Sequence, residues 1–327
     1  MTLGIDLGTA SVLVYIEGRG IVLSEPSVVA IDRNSGKAVA VGEQARQMLG
    51  KTPANIVAIR PIRDGVIADY EITEVMLRYF MNRVRSRGIK IFRPSVVVCV
   101  PAEVTSVERR AVIEAALSAG AKKAALIEEP MAAALGAGLE IDEPTGNLIV
   151  DIGGGTTDIA VISLGGIVVS DSVKVAGNKI DDAIVRYIRK NHGLMIGERA
   201  AEDLKILVGS AYSQNDNRFT ELRGRDLING LPSTVKITAQ DIENAIIDPL
   251  GTILDSLRKV LENTPPELSG DIYDRGILLT GGGALLRHLD KLISNTIGVP
   301  VKTAEDPLAC VALGTGIAAD RGVVFNT

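Results

Sequence analysis

The sequence predicts an α/β fold made of two duplicated lobes, and three observations carry that prediction. Short β-rich segments alternate with amphipathic helical ones. Apolar runs such as Ser95–Val100 and Gly276–Thr280 are continuous, as expected of strands covered on both faces. One order of motifs also occurs twice along the 327 residues, a length that suits about two domains of roughly 100–200 residues.

The elements follow in chain order. Leu3–Leu7 reads as a strand, Gly8 to Ser11 as a turn, and Val12–Glu17 as the returning strand, with further strands at Ile21–Leu23 and Val28–Ile31. Glu71–Arg87 places Ile72, Val75, Met76, Tyr79, Phe80 and Val84 at helical spacing. After Ser95–Val100 come a helix over about Val107–Ala119 and a strand at Ala124–Ile127. The second series opens with the strand Asn147–Asp151, a turn through Gly153 to Thr156, and the strand Asp158–Ser163. Helices are predicted at Ile180–Asn191 and Ala200–Val208, and a polar loop at Ser210–Arg218. Phe219–Arg225 and Thr234–Thr238, flanking Asn229-Gly230-Leu231-Pro232, read as a hairpin. A long helix over Asp241–Asn263 is closed by Thr264-Pro265-Pro266, and the strand Gly276–Thr280 leads through Gly281-Gly282-Gly283 into another helix.

The duplication lies in the order of these parts. Asp6-Leu7-Gly8-Thr9 recurs in outline as Asp151-Ile152-Gly153-Gly154-Gly155-Thr156. Ser95–Pro101, a helix, a strand and Glu129-Pro130-Met131 are echoed by Gly276–Gly283, a helix, Val299–Lys302 and Asp306-Pro307-Leu308. Each proline precedes a small-residue helix, ending in Ala134-Leu135-Gly136-Ala137-Gly138 or Ala312-Leu313-Gly314-Thr315-Gly316. The expected division is a first lobe over 1–144, with a small insertion at about 32–67, and a second over 145–327, with one at about 180–240.

Composition excludes several classes. With 46% hydrophobic and 23% charged residues the chain is too apolar for intrinsic disorder. No uncharged apolar run reaches the ~18 residues of a membrane span, and Met1–Asp6 lacks the basic and apolar regions of a secretory leader. Two cysteines make no disulfide framework, which predicts a reducing cytoplasm, and two separated histidines make no metal cluster. A net charge of −5, 3% aromatics and no Trp argue against nucleic acid as a partner.

An acid that ends a strand, followed by Gly and Thr in a tight hairpin, is a phosphate device. Glycine lets backbone N–H groups approach phosphate oxygens with no Cβ in the way. The carboxylate repels bare phosphate, so a cation belongs between them, and Mg²⁺ suits one or two carboxylates plus phosphates and water. Two such hairpins at corresponding places, with a third glycine turn after a strand, predict a nucleotide cleft between the lobes.

These turns, together with Glu25-Pro26-Ser27-Val28-Val29-Ala30, Arg60-Pro61 through Asp69, Glu128-Glu129-Pro130, Ile196-Gly197-Glu198-Arg199, Thr264 through Leu268 and Leu279 through Gly283, resemble the actin/sugar-kinase/heat-shock-chaperone ATPase superfamily. Within it the chain is similar to the bacterial actin family MreB/Mbl along nearly its whole length. The resemblance implies an actin-like ATPase fold that binds ATP and ADP with Mg²⁺ and is a slow Mg-dependent ATPase coupled to polymerisation. It implies that Asp6 and the turn Thr9, Ala10, Ser11 hold the β-phosphate and metal. Asp151, Gly153, Gly154, Gly155 and Thr156 hold the γ-phosphate, and Asp6 and Asp151 reach Mg²⁺ through water. Glu129 orients the attacking water with help from Thr156, although the adjacent Glu128 is not excluded by sequence. Glu202 and Lys205 line the adenosine pocket, and Gly281, Gly282, Gly283 and Ala284 open a helix on the nucleotide side. Ser11 stands where Asn is common, Asp158 where many members have Glu, and Asn178 where Asp is usual, which removes one carboxylate near the cleft.

Between Glu74 and Glu103 the sequence has basic residues and no acid, and amid them lie Ile89, Ile91 and Phe92. Basic groups near an anionic leaflet contribute about 1 kcal/mol each and a buried Ile or Phe about 1.5–3 kcal/mol, so many loops on one filament bind firmly where one binds weakly. In the family this region resembles a membrane insertion loop; the competing reading is a helix end complemented by basic residues, with Ile91 and Phe92 starting a core strand. The resulting expectation is a cytoplasmic protein, peripheral on the inner face of the cell membrane, that polymerises with itself. By resemblance it works with the cell-wall elongation machinery and a RodZ-like membrane adaptor to organise rod shape. The alternative is a sugar- or acetate-type kinase of the same superfamily; a chaperone would need a further peptide-binding domain.

Overall fold

Two five-stranded sheets, alike strand for strand, organise the molecule. The computed structural model describes residues 2–16, 18–86, 93–214 and 216–321. In the first lobe β1 (Thr2–Leu7) and β2 (Ser11–Ile16) form a hairpin extended by β3 (Gly20–Pro26). A small antiparallel sheet follows from β4 (Val29–Asp32), β5 (Ala38–Val41) and β6 (Ile56–Ile59), with α1 (Glu43–Met48) between the last two. β7 (Ile62–Arg63) and β8 (Val66–Ile67) then turn through Asp64 and Gly65, both at positive φ. α2 (Tyr70–Ser86), β9 (Ser95–Val100), α3 (Ser106–Ser118), β10 (Lys123–Glu128) and α4 (Glu129–Gly136) complete the lobe, and the main sheet runs β10-β9-β1-β2-β3. α3 starts where Thr105 accepts the Glu108 N–H and the Glu108 carboxylate accepts the Thr105 N–H, a capping box.

The second lobe repeats the plan. β11 (Asn147–Ile152), β12 (Thr157–Ser163) and β13 (Gly166–Val173) form its meander, followed by α5 (Gly177–His192). A small sheet of β14 (Leu194–Met195), β15 (Phe219–Asp226) and β16 (Pro232–Thr238), with α6 (Glu198–Val208), stands beside it. Then come α7 (Ala239–Glu262), α8 (Pro266–Arg275), β17 (Ile277–Thr280), a 3-10 turn (Gly282–Leu285), α9 (Leu289–Ile297), β18 (Val301–Thr303) and α10 (Cys310–Asp320). The sheet order is β18-β17-β11-β12-β13, the same pattern of parallel and antiparallel neighbours as in the first lobe. The irregularity in pairing is repeated too: β2 slips against β3 between Val14 and Tyr15, and β12 against β13 between Val161 and Ile162, each just before the strand ends.

Each lobe has its own apolar core, and a third cluster joins them. The joint is an exchange of helices, because α10 packs on β1, β2 and β9 while α4 packs on β11 and β12. The two helices cross at glycine. A Cβ on Gly136 would run into the Cys310 carbonyl and one on Gly314 into that of Ala132, and each would lie 2.8 Å from the other glycine's nitrogen. Backbones approach this closely only where neither residue has a side chain.

Several elements differ from the sequence-based expectation. Gly281–Ala284 does not open an α-helix: the chain makes one 3-10 turn, extends at Leu286, passes through a left-handed His288 and begins α9 only at Leu289. Consecutive glycines give a helix little intrinsic support. The stop at Thr264-Pro265-Pro266 is also a start, for Pro266 opens α8, since a proline at the first helical position gives up no hydrogen bond. The small β4–β6 sheet also carries α1, a two-turn helix that the periodicity did not signal.

Candidate functional site

The ends of β1 and β11 point their acids into one cavity of about 640 Å³ between the lobes. Asp6, Thr9, Ala10 and Ser11 line it from the first turn, and Asp151, Gly153, Gly154, Gly155 and Thr156 from the second. Glu129, Glu202, Lys205, Gly281, Gly282 and Gly283 complete the set that the sequence singled out. Ala284 is the exception. It is buried in the core of the second lobe, and Leu285 and Leu286 take its place on the wall.

The two turns touch. A Cβ on Gly154 would come within 2.6 Å of the Ala10 Cβ, and one on Gly155 would strike the Thr9 side chain. The β7–β8 turn seals one flank: the Gly65 N–H donates to Thr9 Oγ1 at 3.1 Å, and a Cβ there would lie 2.7 Å from both Pro101 and Thr156. The second turn is closed on itself by the Gly153 N–H, which donates to the Thr156 carbonyl at 2.9 Å.

Acids crowd the floor. Burial pushes Asp6 up to about 6 against a hydrogen bond from the Cys99 thiol, 3.2 Å from Oδ1. Burial pushes Asp151 up to about 7, although Thr280 Oγ1 donates to its Oδ1 at 2.8 Å. Glu129 lies well above the ordinary range, from burial first and then from the charges of Asp158, Asp151 and Asp6. Carboxylates raised in this way are short of a cation. No group of three or more His, Cys, Asp or Glu among the described residues forms a cage for a metal ion. An ion held here would therefore share its coordination with water and a ligand's phosphates, as Mg²⁺ does. The floor fits that ion.

Geometry separates the two adjacent glutamates. Glu128 pairs with Arg109 at 2.8 Å and does not line the cavity, whereas Glu129, the first residue of α4, is half-buried on its wall.

The roof holds residues that motif reading missed. Arg46 of α1 meets Glu202 of α6 at 3.1 Å across the cleft mouth, and Lys205 pairs with Asp181 at 2.8 Å. Burial raises Asp181 to about 6, and Lys205 is the strongest opposing influence. Ile206, Leu285 and Leu308 are exposed apolar residues on the same wall, a surface suited to a flat aromatic base. Arg60 and Asn178 also line the cavity.

Ile89, Ile91 and Phe92 lie outside the described residues. Of the basic frame around them, Arg78 pairs with Glu74, and Arg83 pairs with Glu25 at 2.9 Å. No helix among the described residues is long and apolar enough to cross a membrane.

Comparison with known proteins agrees with this architecture. The family model for MreB/Mbl protein matches residues 1–325. Cell shape-determining protein Mbl of Bacillus subtilis (strain 168) is 53% identical over 319 residues, covering 98% of this chain and 96% of its own. Cell shape-determining protein MreB of Escherichia coli (strain K12) is 54% identical over 318 residues, covering 96% and 92%. The crystal structure of MreB5 of Spiroplasma citri bound to ADP matches with a TM-score of 0.93 at 42% identity, covering 98% of this chain and 96% of that one. With the same fold, the paired turns and likeness along its whole length, the chain belongs to the MreB/Mbl family of actin-like, cell shape-determining proteins.

Proposed function

We propose that the protein binds ATP and ADP with Mg²⁺ between its lobes, hydrolyses ATP slowly, and polymerises into filaments on the inner membrane face that organise cell-wall elongation. The observation that carries this reading is the pair of touching glycine turns, each fed by a strand-end acid, on one cavity. The Spiroplasma citri relative was crystallised with ADP, which supports assigning a nucleotide to the cleft.

Asp6 and Asp151 are the carboxylates that would hold Mg²⁺ through water, and the ion would supply charge neutralisation at the phosphates. The first turn grips the β-phosphate with the N–H groups of Thr9, Ala10 and Ser11, and the second grips the γ-phosphate from Gly153 to Thr156. Glu129 directs a water toward the γ-phosphate and takes its proton late in a loose transition state, with Thr156 opposite. Glu202 and Lys205 contact the ribose side, and Ile206, Leu285 and Leu308 cover the base. A ligand touching both lobes favours the closed arrangement, and closure in turn favours contacts between subunits.

Ile89, Ile91 and Phe92 form the membrane contact, with anionic lipid attracted by the basic residues near them. A RodZ-like adaptor and the elongation machinery are further partners in this reading, and nucleic acid is not.

Sedimentation and electron microscopy with anionic liposomes, with and without Mg-ATP, test it. Membrane-bound filaments with Mg-ATP, and loss of liposome binding in the Ile91→Ser, Phe92→Ser double variant, are expected. Failure of calorimetry to detect adenine nucleotide binding overturns the reading. Turnover stimulated by a sugar or acetate, without sedimentable polymer, favours the kinase alternative.

A further inference from the structure

The second lobe's hairpin buries a carboxylate that the first lobe's hairpin does without. Asp158 of β12 stands opposite Asp151 of β11, whereas the corresponding pair in β1 and β2 is Asp6 and Leu13. A leucine serves the same strand position in the same topology, so the sheet itself has no need of an acid there. Every residue of β12 is buried, and Asp158 has no exposed surface at all.

A buried carboxylate oxygen without a donor is costly, and native proteins keep few of them without a use. One oxygen of Asp158 is accounted for. Its Oδ1 accepts the N–H of Ala102 at 3.0 Å, a bond that crosses from the second lobe to the turn after β9 in the first. The other, Oδ2, is buried with no donor at hydrogen-bond distance, although the Ser172 and Thr156 side chains lie close enough to favour the charged carboxylate. α4, whose first residue is Glu129, packs on β12, and of the charges around Glu129 that of Asp158 acts on it most strongly.

We propose that Asp158 is the positioning residue for Glu129: Oδ1 anchors it to the first lobe through Ala102, and Oδ2 sets the direction of the Glu129 carboxyl. One side chain then senses the approach of the lobes and aims the group that directs water. The inference rests on the hydrolytic reading above and adds the reason why the duplicated strand position diverged. A role confined to packing would be filled by leucine, as at position 13.

The test compares single-turnover phosphate release with fluorescent-nucleotide affinity in the full-length protein with Mg-ATP. Asp158→Asn keeps an acceptor for Ala102 but turns Oδ2 into an N–H donor that ties up the Glu129 carboxylate. Phosphate release should slow about ten- to a hundredfold, as for a misplaced reacting group, with nucleotide affinity changed by no more than about twofold. Asp158→Glu should restore most of the rate. Asp158→Leu removes a buried charge but leaves the Ala102 N–H without its acceptor, so it should melt somewhat below the parent and hydrolyse as slowly as Asp158→Asn. Parental release in Asp158→Asn or in a folded Asp158→Leu overturns the proposal, and so does an equal loss of rate and affinity. If Asp158→Leu does not fold, Asp158→Asn decides. A parent protein that binds nucleotide without hydrolysing it overturns the ATPase reading and this inference with it, whereas a hydrolysing parent with an indifferent Asp158 overturns the inference alone.

Discussion

The two lobes share a sheet and differ in what they do with it. Asp6 and Asp151 occupy equivalent strand ends, and each takes a hydrogen bond from the neighbouring parallel strand, but from Cys99 in the first lobe and Thr280 in the second. A thiol is the weaker donor. The first turn, Gly8–Ala10, is one residue shorter than the second, Gly153–Thr156, and only the second lobe adds an acid across the hairpin. The difference teaches that duplication supplied the scaffold twice while the reacting side of the cleft was specialised once. Packing should therefore respond alike to equivalent changes in the two lobes, and chemistry should not.

The largest effect tests the shared scaffold. Gly136→Ala and Gly314→Ala each drive a methyl group into the backbone of the facing helix. Each should lower stability by about 2–4 kcal/mol, seen as a reduced urea midpoint, and the two losses should be similar. A protein that tolerates one substitution and collapses with the other breaks the two-fold equivalence of the α4–α10 crossing.

The floor acids sharpen the comparison at intermediate size. Asp6 at about 6 and Asp151 at about 7 both lie above the ordinary value of 3.8, so between those limits the folded chain binds more protons than the unfolded one. Stability then falls as pH rises through this window, and the loss is complete above about 7. Without nucleotide the melting temperature should be higher at pH 5.5 than at pH 7.5, a slope of the sign set by linkage. Asp151→Asn should flatten the slope more than Asp6→Asn, because its shift is the larger; Glu129 and Asp158 keep some slope in either variant. Mg-ATP should remove most of the dependence, since bound cation favours the ionised acids. A slope that neither substitution alters refutes burial of these two carboxylates as its source.

How much of this was legible without coordinates depends on the kind of signal. The central strands announce themselves because burial on both faces gives them the unbroken apolar runs Val96–Val100 and Leu148–Val150, and the turns because an acid, glycine and threonine coincide. The roof carries no such signature. Arg46, Asp181, Ile206, Leu285 and Leu308 lie outside the motifs, and in sequence they look like an ordinary solvated surface with scattered apolar residues. Ala284 was assigned to the cleft because a strand, three glycines and an apolar run imitate the start of a helix; the 3-10 turn sends that side chain inward instead. Gly136 and Gly314 are recognisable as small residues in small-residue helices, but which backbone each one admits is a tertiary fact.

The smallest effect lies where the lobes are least alike, at the contact between α1 and α6. Arg46 and Glu202 are 3.1 Å apart with each side chain 32% exposed, so the pair is partly screened by water. Such a pair contributes about 0.2–1 kcal/mol, a factor of about 1.4–5 in an equilibrium. Arg46→Ala should therefore speed release of a fluorescent ADP analogue by up to about fivefold, and the gain should shrink at high salt, where the parental pair is already weakened. Arg46→Lys should fall between, because lysine keeps the charge and loses the planar fork. Unlike the glycine crossing, this contact joins parts that have no counterpart across the duplication, so nothing in the scaffold compensates for its loss. Release at the parental rate in Arg46→Ala would place the limiting barrier on the floor, among the turns, rather than at the mouth.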